Sequence, residues 1–162
     1  MKILGIDPGL NNTGWGIIEQ KQNALAFIAC GVIKPSAKYE TADRLYTIDS
    51  ELDKIISLYK PDAVAIEETY VNKSPASSLK LGMARGAAFI APARAGLKVF
   101  EYGANKVKKT VVGAGHADKS QIQTMINILL PRADFKNADS ADALAIAICH
   151  AHHSAHNQRI AI

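Results

Sequence analysis

The stretch Lys2-Ile3-Leu4-Gly5-Ile6-Asp7-Pro8-Gly9 constrains the fold more than any other part of the chain. An apolar run of strand length ends in one carboxylate, and Pro-Gly then breaks it. A buried strand has little use for an acid at its edge unless something cationic sits there. Asp62-Ala63-Val64-Ala65-Ile66-Glu67-Glu68 repeats the design, and Asp139-Ser140-Ala141-Asp142 heads a late helical pattern. Three acidic ends on separate elements point to one shared metal site.

The intervening chain supplies a frame for these ends. Residues 2–7 read as a strand, 15–19 as a second and 24–33 as a third, joined by turns at Leu10-Asn11-Asn12-Thr13-Gly14 and Gln22-Asn23. In the third strand Leu25, Phe27, Ala29 and Gly31 share one face by alternation. Leu45, Ile48, Leu52, Ile55, Ile56 and Tyr59 fall at helical spacing over 40–59. A fourth strand spans 62–67. Ser74-Pro75 opens a helix running to about Arg94, with Leu79, Met83, Ala87 and Ile90 along one stripe. A fifth strand covers 97–102, followed by a basic stretch at 105–109 and the loop Gly113-Ala114-Gly115-His116. Asp118 with Gln121 matches a capping box for a helix to about Leu130, which Pro131 stops. The last helix runs from about Ala138 to the region of His153. The expected order is β-β-β-α-β-α-β-α-α, an α/β fold whose mixed five-stranded sheet is flanked by helices.

The 162 residues suit one domain, set at 1–154, with 155–162 as a flexible C-terminal tail. No apolar run reaches the roughly 18 residues that span a bilayer. Met1-Lys2 runs straight into the first strand with no signal-peptide pattern. Cys30 and Cys149 form no motif and read as free thiols, so the expected location is the cytoplasm. The net charge is only +4. If several acids are occupied by metal, the remaining surface is more basic than that, and a polyanion becomes a fitting partner.

Asp139 and Asp142 stand three apart on a helix and share one face. If that helix packs beside the first strand, its acids join Asp7 and Glu67. Four clustered carboxylates cannot all stay ionised without cations. Oxygen donors with no Cys or His select Mg²⁺ or Mn²⁺ over zinc. Blander readings stand beside this one. Asp139 and Asp142 fit a helix N-cap and an N3 acid, and Asp7 fits a turn acid. Glu67 is the sharpest, because it closes an apolar strand, whereas Glu68 points to the opposite face. Taken together the four favour the metal site.

At this point the residues resemble those of the RuvC-type Holliday junction resolvases, the crossover junction endodeoxyribonucleases. The matching stretches are Leu4-Gly5-Ile6-Asp7-Pro8-Gly9, Ala65-Ile66-Glu67, 78–86 (SLKLGMARG), Val99-Phe100-Glu101-Tyr102, 107–113 (VKKTVVG) and 138–147 (ADSADALAIA), in family order and spacing. The resemblance implies an RNase H-like fold, a homodimer, and Mg²⁺-dependent nicking of two opposed strands at a four-way DNA junction, in recombination and repair. It implies 5′-phosphate and 3′-hydroxyl products, two ions per site with Mn²⁺ as substitute, and a branch-migration helicase as partner. Asp7, Glu67, Asp139 and Asp142 fall on the family's metal-binding acids, and Lys108 and Lys119 on its basic active-site residues. Tyr70 falls where the family places an aromatic residue, usually Phe, at the junction core. Glu68 stands where related chains often carry an amide.

Lys106, Lys108, Lys109 and Lys119 flank the glycine loop and fit a phosphate clamp, or simply a solvated basic loop. Tyr70 fits a wedge against unpaired bases or a ring packed on the domain edge, with Asn72 and Lys73 in reach of phosphates. Gly82 and Gly86 would let a dimer mate, or the sheet, approach the second helix. His150, His152, His153 and His156 read as a polar helix end rather than a metal cluster, and His116 as a phosphate contact at most. Two other functions compete. An actin-like or sugar-kinase-like nucleotide-binding protein shares the sheet but needs a second lobe. A DNA-binding module that does not cut would lack at least one of the four acids.

Overall fold

The structure, a computed structural model, describes residues 1–68, 74–115 and 117–160, with side chains of the last helix as far as 154. Lys2–Asp7 forms β1, Thr13–Lys21 β2 and Ala24–Ile33 β3; these make the expected antiparallel meander. Thr41–Tyr59 is α1, Ala63–Glu67 β4, Pro75–Arg94 α2 and Val99–Tyr102 β5. Ala104–Val112 is α3, Lys119–Leu129 α4 and Ala138–Ile160 α5. The sheet runs β3-β2-β1-β4-β5, with β1–β4 and β4–β5 parallel. Among the described residues no helix is long and apolar enough to cross a membrane.

The sheet is covered on both faces. Leu4, Ile6, Val64 and Ile66 point into a core closed by Ile48, Leu52, Ile55 and Ile56 of α1 and the alanines of α2. Ile3, Ile18 and Ala65 point the other way, into a core filled by α3, α4 and α5. From Ala141 to Cys149, α5 is buried at every residue except Asp142, which fits a helix packed centrally rather than one with a wet face.

Four local expectations need correction. The basic stretch after β5 is a helix, α3: Val107 and Val111, one turn apart, are buried, and Gly113 terminates it at φ 84°. The expected stripe of α2 is split: Leu79, Met83 and Ile90 face outward, at 63%, 40% and 52% exposure, while Ala87 faces the sheet with Ala84, Ala88 and Ala91. The small side chains win the inner face because they let α2 lie close to α1 and the strands. In β3 Leu25 and Phe27 share one core as alternation expects, but a register shift opposite Ile17/Ile18 breaks the pattern beyond them, so that Cys30 rather than Ala29 joins them there. The backbone of α5 continues to Ile160, beyond the expected end near His153.

Candidate active site

Strand alternation and register bring the first two acids together. Lys2 and Asp62 clamp the starts of β1 and β4: Lys2 N donates to the side-chain Oδ2 of Asp62 at 2.6 Å and Asp62 N to Lys2 O at 2.8 Å. Pairing then runs in step from Ile3↔Ala63 to Ile6↔Ile66. Asp7 and Glu67 are the next residue of each strand, at the open end, and alternation turns both toward α5.

Glycines set where α5 sits. Asp7 pairs with Gly14 across β1 and β2. A Cβ on Gly14 would lie 2.0 Å from the Asp139 carbonyl oxygen, and one on Gly5 2.0 Å from that of Ala143. Helix backbone therefore rests directly on strand backbone, a distance only glycine permits. Asp139, in the first turn of α5, is thereby held beside Asp7, and Asp142 follows on the same helical face toward Glu67.

The electrostatics record that convergence. Burial, reinforced by Glu67, Asp142 and Asp139, pushes the Asp7 carboxyl up to about 7, with Lys119 opposing. Burial likewise raises Glu67, with Asp142 adding and Lys108 opposing. Asp142 is raised by burial, against Lys119 and with Asp139. Lys119 Nζ stands 4.0 Å from Asp142 Oδ2. It occupies the first position of α4, behind the capping box that Asp118 and Gln121 make as expected. Lys108 projects half-buried from α3. A cleft of about 440 Å³ opens between these groups, with Glu67, Asp142, Lys108 and Lys119 on its rim and Val107 and Ile122 in its floor.

Among the described residues no three Asp, Glu, His or Cys side chains close into a ready-made cage. The donor set nonetheless fits a hard divalent cation. It consists of carboxylates alone, two on strand ends and two on one helix face, and each of Asp7, Glu67 and Asp142 is disfavoured as a bare anion.

The six residues Asp7, Glu67, Asp139, Asp142, Lys108 and Lys119 therefore share one site. Lys106 and Lys109 do not: Lys106 Nζ lies 5.1 Å from the Tyr102 ring centroid, and Lys109 is exposed in the last turn of α3. Tyr70, Asn72, Lys73 and His116 lie outside the described residues. Of the histidines near the end of α5, His152 is exposed as a polar helix end expects, the side chain of His156 lies outside the described residues, and His150 and His153 turn inward. His150 is 2% exposed, bonds Tyr102 Oη through Nδ1 at 2.8 Å and packs on Phe100, and burial lowers its pKa to about 4. His153 stacks on Tyr102. The hydropathy of residues 143–149, which continues into His150, already marked that turn as interior.

Comparison with known proteins follows the same lines. A family model described as crossover junction endodeoxyribonuclease RuvC matches residues 3–150. A crossover junction endodeoxyribonuclease RuvC of Rhodopseudomonas palustris (strain BisA53) is 57% identical over 153 residues, 94% of this chain and 88% of the relative. One from Rhizobium johnstonii is 52% identical over 158 residues, covering 98% and 94%. A Thermus thermophilus RuvC in complex with Holliday junction substrate superposes with a TM-score of 0.91 at 31% identity, over 97% of this chain and 96% of that one. The yeast mitochondrial Holliday junction resolvase Ydc2, at 12% identity and TM-score 0.65 over 99% and 86%, shares the fold.

Proposed function

From the premise that this chain belongs to the RuvC family of crossover junction endodeoxyribonucleases, we propose how its own residues cut a four-way DNA junction. The fold is RNase H-like, and the activity is that of a metal-dependent endonuclease resolving Holliday junctions.

The observation that carries the residue assignment is the junction of four acids from β1, β4 and α5 at one end of the sheet, faced by two lysines. In this reading Asp7, the most deeply placed acid, would hold two Mg²⁺ ions together with Glu67, Asp139 and Asp142. Ions held there supply an activated water and stabilise the leaving oxygen of a phosphodiester. Lys108 and Lys119 orient the scissile phosphate and offset charge that develops on it. Their opposing effects on Glu67 and Asp142 place both within electrostatic reach of the acids. The products are 5′-phosphate and 3′-hydroxyl ends. Tyr70, three residues after Glu67, is assigned to the junction core, with Asn72 and Lys73 as phosphate contacts beside it and Lys106 and Lys109 as outer ones.

A homodimer supplies the second active site for the opposed strand. The outward stripe Leu79, Met83 and Ile90 of α2 supports it, since large apolar groups in a row are otherwise left wet. Gly82 and Gly86 beside that stripe have open space where a Cβ would stand, so a second helix can come close. A branch-migration helicase as partner rests on family membership alone.

The test is cleavage of a labelled synthetic four-way junction beside a matched linear duplex, with Mg²⁺, Mn²⁺ or EDTA. Paired, symmetric nicks on the junction, absent in EDTA, are expected. Folded protein that binds the junction but cuts in neither metal would overturn the reading in favour of a binding module.

A further inference from the structure

Arg85 of α2 reaches the end of β4 from the side of the sheet opposite the four acids. Its Nε–H donates to the main-chain carbonyl oxygen of Glu67 in a long hydrogen bond of 3.4 Å. Its Nη2 pairs with the Glu101 carboxylate of β5. One helical turn on, the Phe89 ring lies beneath the guanidinium, 4.9 Å from centroid to Cζ. The Arg85 side chain is only 24% exposed. One planar group thus joins α2 to two adjacent strand ends.

We infer that Arg85 is a positioning residue for Glu67. Glu67 is the last residue of β4: pairing with β1 ends one residue earlier at Ile66, so on that side the strand end is open, while Tyr102 of β5 still pairs with Glu67. The peptide that follows Glu67 is held on one side by the Glu68 N–H bond to Tyr102 O at 2.9 Å and on the other by Arg85, and together they fix the main-chain position from which the carboxylate leaves the strand. Glu101 pairs with Ile66 across β4 and β5, so the anchor for Arg85 is itself in register with the strand it braces. Phe89 fixes the plane of the guanidinium. A lysine in its place has no planar fork to satisfy the carbonyl, the carboxylate and the ring together. Arg85 touches neither the acid oxygens nor the cleft, and its effect on cleavage passes through Glu67. The inference rests on the reading of Glu67 as a metal ligand.

The decisive experiment is Mn²⁺ binding to the DNA-free protein by titration calorimetry, for wild type, R85A, R85K, E67Q and the double variant R85A/E67Q. Groups that orient metal ligands typically change metal affinity by about 10- to 100-fold when removed. R85A should therefore weaken Mn²⁺ binding by about 10-fold or more, R85K should not restore it, and junction binding in EDTA should stay at the wild-type level. In the E67Q background R85A should add nothing, because the group it orients no longer binds as a carboxylate. Wild-type affinity in R85A, or an equal loss with and without Glu67, overturns the inference while leaving the metal site standing. E67Q binding Mn²⁺ as wild type does overturns the metal-site reading and this inference with it. Should R85A fail to fold, E101Q keeps the guanidinium but removes its anchor; a smaller loss of Mn²⁺ affinity supports the inference, and none refutes it.

Discussion

Replacing Asp7 by asparagine should make the metal-free protein more stable while destroying its activity. In the folded chain the Asp7 carboxyl is raised from 3.8 to about 7 by burial and by Glu67, Asp142 and Asp139, with Lys119 the one opposing cation. At roughly 1.36 kcal/mol for each pH unit, keeping that carboxylate ionised at pH 8 costs the fold about 4 kcal/mol. The sign follows from the raised value. The unfolded chain gives up the proton near 3.8 and the folded chain near 7, so the contribution of Asp7 to stability is fully present below 3.8 and is lost as pH rises through 7. An asparagine carries no charge but leaves a buried amide, which offsets about 1–2 kcal/mol. The net gain is then about 2–3 kcal/mol, a Tm higher by roughly 5–10 °C for a domain of this size. The advantage should fade as pH is lowered and be gone by about pH 5, where the cost of ionisation has dropped to about 2 kcal/mol. Thermal unfolding of both proteins in EDTA from pH 5 to 8 measures it. Adding Mg²⁺ should then raise the Tm of the wild type more than that of the variant. Junction binding by Asp7→Asn should persist and cleavage should vanish. A variant no more stable than wild type at pH 8 in EDTA would refute the account of a frustrated acid cluster.

Other outcomes follow from the same geometry. Lys119→Ala should lower the cleavage rate by about 10²–10³-fold with junction binding kept, as single-turnover kinetics would show, in line with the loss of one charge-stabilising donor. Gly14→Ala drives a methyl group into the Asp139 carbonyl; α5 must shift, costing about 1–3 kcal/mol in denaturant titration together with most of the activity. Leu79→Glu with Met83→Glu on the exposed stripe of α2 should give monomers in sedimentation and unpaired nicks on the junction, with each domain's Tm little changed. His150, lowered to about 4 by burial, stabilises the neutral form, so stability should be lost as pH falls from 6.5 through 4. His150→Gln should flatten that limb of the unfolding profile.

Much of this site was readable in the chain because it is built on strand ends. An apolar run that closes on an acid, as at Ile6-Asp7 and Ile66-Glu67, declares both the strand and the carboxylate at its tip. The face on which those acids lie follows from a two-residue period, and the pairing of Asp139 with Asp142 from a helical one. The capping box that delivers Lys119 was equally local. Where the reading failed, the deciding contact came from elsewhere. The apolar stripe of α2 could be read from its spacing but not the face it takes: Leu79, Met83 and Ile90 lie outward, and the inner face went to alanines that permit closer packing. The helical nature of the basic stretch rested on Val107 and Val111 meeting α5, and the interior place of His150 on Tyr102 and Phe100 arriving from β5. Above all, composition could supply four carboxylates but not their distance. That was decided by glycine: Gly5 and Gly14 let α5 rest on the bare backbone of β1 and β2, and only there do acids separated by more than a hundred residues share one electrostatic field.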